Sequence, residues 1–255
     1  MSLLWPDRLM GGLFHGHCWL SRKDIEHGCA PLAGNDAPAA LLAALSTLLD
    51  QHGTTLRKRT KVSLVVSDSL AALLPLAWHA ELNTPDEIHA YAKACFLKRG
   101  EEINDAWIMH AAFRHYGEAG LAYALPRAWV QALVALLAAR GLVLDRVLPI
   151  TAQAYWKVRR RALAGQEIVL LREANRTSTM VFDATGLLGI DAETGAGMME
   201  ASGRRLVGRL AAYHPEIKVV QEWSEEGVAT RRQAAFVTEL FAEAGVEQVH
   251  RSAWN

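Results

Sequence analysis

Charge of one sign is the first thing this sequence lacks. Twenty-seven Lys and Arg balance 27 Asp and Glu across 255 residues, so the chain as a whole has no field to draw in nucleic acid or an anionic membrane. Cysteine is scarce as well: three in so long a chain make no disulfide framework and fit a reducing compartment. No stretch reaches the roughly 18 uncharged apolar residues of a membrane helix, and the N-terminus has no basic start, apolar centre and small-residue cleavage site. The expected address is cytoplasmic. Several catalytic templates are missing too: G-x-x-x-x-G-K-[ST], G-x-G-x-x-G, H-E-x-x-H and G-x-S-x-G.

What is present is globular in composition, with 51% hydrophobic and 21% charged residues, enough to build one body or two coupled lobes. Two local basic clusters depart from the even charge, one from Arg57 to Lys61 and one at Lys157, Arg159, Arg160 and Arg161. Each reads as a solvated face or as a contact for phosphate or lipid, and added salt in a lipid-pelleting assay separates the two. In FHGHCWLSRKDIEHGC, His15, His17 and Cys18 lie near His27 and Cys29. Zinc accepts these donors, but the paired C-x2-C and H-x3-H spacings are absent, and in a strand His17 and Cys18 face opposite ways. A first strand and its turn is the alternative.

Along the chain, Leu13 to Leu20 is strand-like and Pro38 to Leu49 is a helix rich in Ala and Leu. KVSLVVSD gives a buried strand, with Ser67 and Asp68 able to cap the apolar segment Ser69 to Leu74. Thr84-Pro85-Asp86-Glu87 combines a cap, a proline at the first helical position and a Thr-x-x-Glu box, so a helix should run to Arg99 and stop at Gly100. Asp105 to Phe113 and Leu121 to Leu125 form a strand pair, and a helix from Pro126 is closed by Gly141. LVLDRVLPI returns as a strand, and Thr151 to Leu163 is helical.

Gln166 to Arg172, Thr177 to Phe182 and Leu187 to Asp191 then predict a three-strand meander. Gly195 to Tyr213 is helical, Ile217 to Trp223 is a strand and Glu225 to Ala244 a helix ending at Gly245. Alternating helices and strands with one meander make the class α/β with mixed sheets. Asp183 and Asp191 are either metal ligands or acids, or solvated turn carboxylates, and Gly195-Ala196-Gly197 with Ser202-Gly203 is either an anion-receiving helix start or a plain junction.

This order resembles the actin-like superfamily, and within it the PilM and GspL families of pilus and secretion assembly. KVSLVVSDSLAALLPLAW looks like the strand after the first helix and its apolar continuation. GLAYALPRAWVQALVALLAARGLVLDRVLPITAQAYW looks like a small inserted subdomain and the helix that follows it. IVLLREANRTSTMVFD falls where a second lobe begins its meander. The resemblance implies an actin-like, ribonuclease H-like two-lobed α/β fold, with first-lobe elements in 1–103, the inserted subdomain in 104–150 and the second lobe in 151–255.

It also implies what nucleotide binding would need: two Asp-x-Gly hairpin turns for the phosphates and a Gly-Gly turn for adenosine, because glycine lets backbone N–H groups approach the phosphates. The second turn here is Arg172, Glu173, Ala174, Asn175, Arg176 and Thr177, with no glycine: Ala174 and Glu173 oppose a triphosphate, while Arg172, Arg176 and Thr177 could bind another anion. Leu13 to Lys23 has Gly16 but no aspartate before Asp24, and Val220 to Gly227 puts bulk and acid where the glycine pair would be. No cofactor is expected.

The implied role is a non-catalytic cytoplasmic scaffold or adaptor. It would bind a segment of an inner-membrane partner, as PilM does against its inserted subdomain, without nucleic acid and without a membrane span; the chain ends at Asn255 without the membrane helix into which GspL continues. Homo-oligomerisation is compatible with this. Trp107, Tyr123, Trp129 and Trp156 are the aromatic candidates for partner contact. The alternatives are a nucleotide-binding enzyme of the same fold, an ATPase or sugar-kinase relative, and a metal- or small-molecule-binding regulator.

Overall fold

Apolar residues on one face of RLMGGLF and HCWLSR pair as the hairpin β1 (Arg8–Phe14) and β2 (His17–Arg22), with Cys18 and Leu20 buried and His17 and Trp19 on the other face. The continuous strand expected over Leu13 to Leu20 is broken by His15 and Gly16, because Gly16 takes a φ of +81° and turns the chain back. The computed structural model describes residues 8–22, 25–31, 38–52, 56–157, 166–194, 206, 209, 217–224 and 247–250.

β3 (Ile25–Pro31) and the helix α1 (Pro38–His52) follow. Leu41, Leu45, Leu48 and Leu49 recur at helical spacing along α1 and are all buried, as the helix packs on β1, β2 and β3. Each such leucine contributes about 1.5–3 kcal/mol. β4 (Lys61–Val66) is buried from Val62 onward. Ser67 accepts from the Ser69 amide at 3.1 Å and caps only a 3-10 turn over Asp68–Leu70, after which the chain extends again as β5 (Ala72–Leu76). A strand partner therefore takes up the second half of the apolar segment Ser69 to Leu74.

α2 (Pro85–Lys98) begins as its sequence predicts: Thr84 Oγ1 accepts from the Glu87 amide at 3.2 Å, and Glu87 Oε2 accepts from the Asn83 and Thr84 amides, both at 2.9 Å. Those backbone donors, Asn83 first, hold the Glu87 carboxyl below its ordinary range. β6 (Trp107–Ala112), β7 (Gly120–Pro126), α3 (Arg127–Ala138), β8 (Val143–Pro149) and α4 (Ile150–Lys157) come next. α3 buries Trp129, Leu133 and Leu137 and packs on α1 and β8.

The meander is present as β9 (Gln166–Glu173), β10 (Arg176–Asp183) and β11 (Gly186–Thr194), followed by β12 (Ile217–Ser224) and β13 (Glu247–His250). β13 was not expected from the sequence. The helices expected over 195–213 and 225–244, and the end of the one expected over 151–163, lie outside the described residues apart from helical Leu206 and Arg209.

Three sheets result. One has the order β3-β2-β1-β4-β8, a second β11-β10-β9-β12-β13, and a third β5-β7-β6. In each of the first two, three antiparallel strands are followed by two parallel ones. The chain divides into two compact units, Met1–Ala72, Asn104–Ile108 and Ala124–Ile150 in one, and Leu73–Ile103, Met109–Tyr123 and Thr151–Asn255 in the other.

Within the second unit the loop between β6 and β7 is fastened to the β10–β11 turn. The Ala119 amide donates to Thr185 O at 3.1 Å, Tyr155 Oη donates to Ala119 O at 3.3 Å, and Arg114 donates to Tyr155 O at 3.0 Å. Among the described residues no helix is long and apolar enough to cross a membrane.

Candidate functional site

Two strands that pair in tight register leave a turn of only two residues between them. β9 and β10 do this: Glu173 pairs with Arg176, and Ala174 and Asn175 close the loop. The strands are buried almost throughout on both sides of the turn, as expected when both faces of a sheet are covered. This drags charged residues inside. Glu173 is 1% exposed and Arg172 is buried with it; Thr177 and Ser178 are buried, and the Arg176 guanidinium donates to Ser178 Oγ at 3.2 Å. Ala174 is exposed, and Asn175 and Arg176 are half-buried.

Neither Ala174 nor Asn175 takes a left-handed backbone. The turn is therefore not one of the mirror-image types that need positive φ, and a Cβ stands at every position of it. An anion approaching this loop meets the exposed Ala174 methyl, with Glu173 and Arg172 buried and Arg176 half-buried beside it. The β1–β2 turn differs, since its second residue is Gly16 with a φ of +81° and nothing within 4 Å of the place a Cβ would occupy. It still carries no aspartate. At the position expected to receive adenosine, Val220 to Ser224 are strand residues of β12, and Glu225 to Gly227 lie outside the described residues.

The carboxylates of the enzyme alternative hold local structure. Asp183 Oδ1 accepts from both the amide and the hydroxyl of Thr185 at 2.6 Å, and Asp191 accepts from the Ala192 amide at 2.8 Å and from Arg209 at 2.7 Å. For the metal alternative, Cys18 is buried on the face of β2 opposite His17, and no group of His, Cys, Asp and Glu among the described residues could hold a metal ion. The glycine pair at 195–197 and Ser202-Gly203 lie outside the described residues.

The four aromatic candidates fall in different settings. Trp107 opens β6 half-buried, its carbonyl accepting from Arg127 at 3.1 Å. Tyr123 is buried in β7 with its ring 5.3 Å from that of His110, and burial pushes its hydroxyl up to about 12. Burial, and secondly the charge of His89, lowers the His110 imidazole. Trp129 is 5% exposed in α3 and its indole donates to Pro38 O at 3.0 Å. Trp156 is half-buried in α4, edge-on to Tyr155 at 5.1 Å. Sequence reasoning passed over Trp78, whose ring contacts Phe113 at 5.0 Å and Tyr116 at 4.9 Å; its partners lie far along the chain, so spacing gave no sign of the cluster.

No protein-family profile matches this chain. No curated protein sequence matches it either. Solved structures do. A Bacteroides thetaiotaomicron protein with an actin-like ATPase fold matches 96% of this chain and 90% of its own at 8% identity, with a TM-score of 0.60. The PilM–PilN type IV pilus biogenesis complex matches over 97% of this chain and 89% of that one at 15% identity and a TM-score of 0.63. The cytoplasmic domain of EpsL, an inner membrane component of the type II secretion system of Vibrio cholerae, matches over 86% and 82% at 13% identity and 0.51. The fold is thus that of the actin-like ATPases, as the sequence pattern implied, and it is shared with PilM and EpsL.

Proposed function

We propose that this chain is a non-catalytic actin-like adaptor that docks a segment of an inner-membrane protein in a pilus- or secretion-type assembly. The observation that carries the reading is the β9–β10 turn: Ala174 and Asn175 close it without a left-handed residue, and the Glu173 carboxylate is buried beside it. Backbone N–H groups cradle a polyphosphate most closely where glycine leaves no side chain in the way, and this turn offers none. The shared fold with PilM and EpsL, proteins of a pilus complex and of a secretion system, supports the assembly setting.

In this reading no nucleotide is held and the chain works at the cytoplasmic face of the inner membrane. Trp107 and Trp156 are each half-buried and each offers a separate contact to the partner, while the buried Tyr123 and Trp129 hold their own elements, β7 and α3, in place. Calorimetry with ATP and magnesium is expected to show no binding. A membrane-protein partner recovered by pull-down should be lost with Trp107→Ala or Trp156→Ala. Magnesium-dependent ATP binding in the micromolar range would overturn the reading.

A further inference from the structure

An evenly charged chain can still be lopsided, and this one is. Arg57, Lys58 and Arg59 are consecutive and exposed in the turn that leads into β4. The ladder between β1 and β4 sets Arg8 directly opposite Lys61, and the ladder between β4 and β8 brings Arg146, also exposed, alongside Ser63. Three separate segments thus bring cations to the end of the first sheet where its parallel strands begin. Of the carboxylates there, Asp145 is engaged by Lys61 at 3.4 Å and Asp50 by Arg140 at 2.7 Å.

The turn itself is built under strain. Arg59 has a φ of +66°, the one non-glycine residue with a left-handed backbone among those described, a conformation that costs about 1–2 kcal/mol. It is held by its amide donating to Gly141 O at 2.7 Å and by the Thr60 hydroxyl and amide donating to Arg57 O at 2.7 and 3.1 Å. In the same patch Val143 pairs with Lys61 and is 47% exposed.

We propose that this cationic end of the first sheet is a docking surface for an anionic lipid bilayer. The phosphate-bearing headgroups are received by Arg57, Lys58 and Arg59, with Arg8 and Arg146 at the flanks and Val143 at the boundary with the acyl chains. Guanidinium forks match phosphate oxygens. A bilayer presents a plane of charge, and beyond a Debye length of about 8 Å the remainder of a neutral chain is screened, so one cationic end suffices to orient the molecule. The exposed valine among the cations favours a lipid surface over nucleic acid, since apolar contact is rewarded at the headgroup boundary and not along a phosphate backbone. This inference does not rest on the adaptor reading. It needs neither the partner nor an empty β9–β10 turn, so either can fail alone.

The test is flotation of the full chain with vesicles of phosphatidylcholine containing about 30% phosphatidylglycerol, against phosphatidylcholine alone, in about 50 and about 300 mM salt. Binding is expected to anionic vesicles at low salt only. Each facing cation strengthens association roughly fivefold, so Arg57→Glu, Lys58→Glu and Arg59→Glu together should weaken it by a hundredfold or more. Arg57→Lys with Arg59→Lys should keep it, and Val143→Ser should weaken it by a smaller factor. If the triple variant does not fold, Arg8→Glu with Arg146→Glu serves the same purpose. Equal binding to neutral vesicles, no binding to anionic ones, tighter binding to a DNA duplex, displacement by millimolar inorganic phosphate, or full binding by the folded charge-reversal variants would each overturn the proposal.

Discussion

The two five-stranded sheets follow one course, yet before their first hairpins they divide the available volume in opposite ways. In the first sheet Gly12 stands across from Trp19, and a Cβ on Gly12 would lie 2.1 Å from the indole nitrogen. In the second, Leu171 occupies the matching place two residues before the last pair, and Ser178 faces it. The large residue is on the returning strand in one sheet and on the outgoing strand in the other. Interiors are packed to a fixed density, so the space Gly12 leaves is taken by the indole across from it, whereas in the second sheet a leucine fills the matching place itself. The turns diverge in the same way, with a left-handed glycine in one and neither residue left-handed in the other.

The comparison can be broken in four places. Leu171→Ala should have the largest effect, a loss of about 2–5 kcal/mol in urea unfolding, because the residue is fully buried and Ser178 cannot fill the space. Gly12→Ala should cost about 1–3 kcal/mol, since the indole must move to admit the methyl group; a cost near zero would show that Trp19 does not lie over Gly12. Gly16→Ala meets open space but must hold a left-handed backbone, so a loss of about 1 kcal/mol is expected from the conformation alone. Asn175→Gly should be mildly destabilising, by about 0.5 kcal/mol, through added freedom of the unfolded chain. If it stabilised the protein instead, the second turn would prefer the left-handed form and the contrast between the two hairpins would collapse.

Much of the fold was legible where local chemistry decides the structure. Thr84 to Glu87 announces a capped helix and the structure builds it, and the meander from β9 to β11 follows from apolar runs separated by turn residues. Reading failed where a distant strand decides. Ala72 to Leu76 is extended because β7 pairs with it, and β13 exists because β12 offers a parallel edge to the short sequence EQVH.

The candidate turn was visible as polar residues between two apolar runs, but the burial of Glu173 and Arg172 was not, since charged residues at a turn ordinarily face water. The basic run from Arg57 to Lys61 was readable. Only strand register adds Arg8 and Arg146 to it.

The bond from the Ala119 amide to Thr185, with the parallel bridge from Ala119 to Gly186, joins segments made far apart in the chain. Closing so long a loop is entropically slow, and it can happen only after β10 has turned into β11. A nascent chain can therefore complete β6, β7 and α3 early, yet it must wait for the meander before this fastening forms. Refolding followed at Tyr155 should lag behind refolding followed at Trp129.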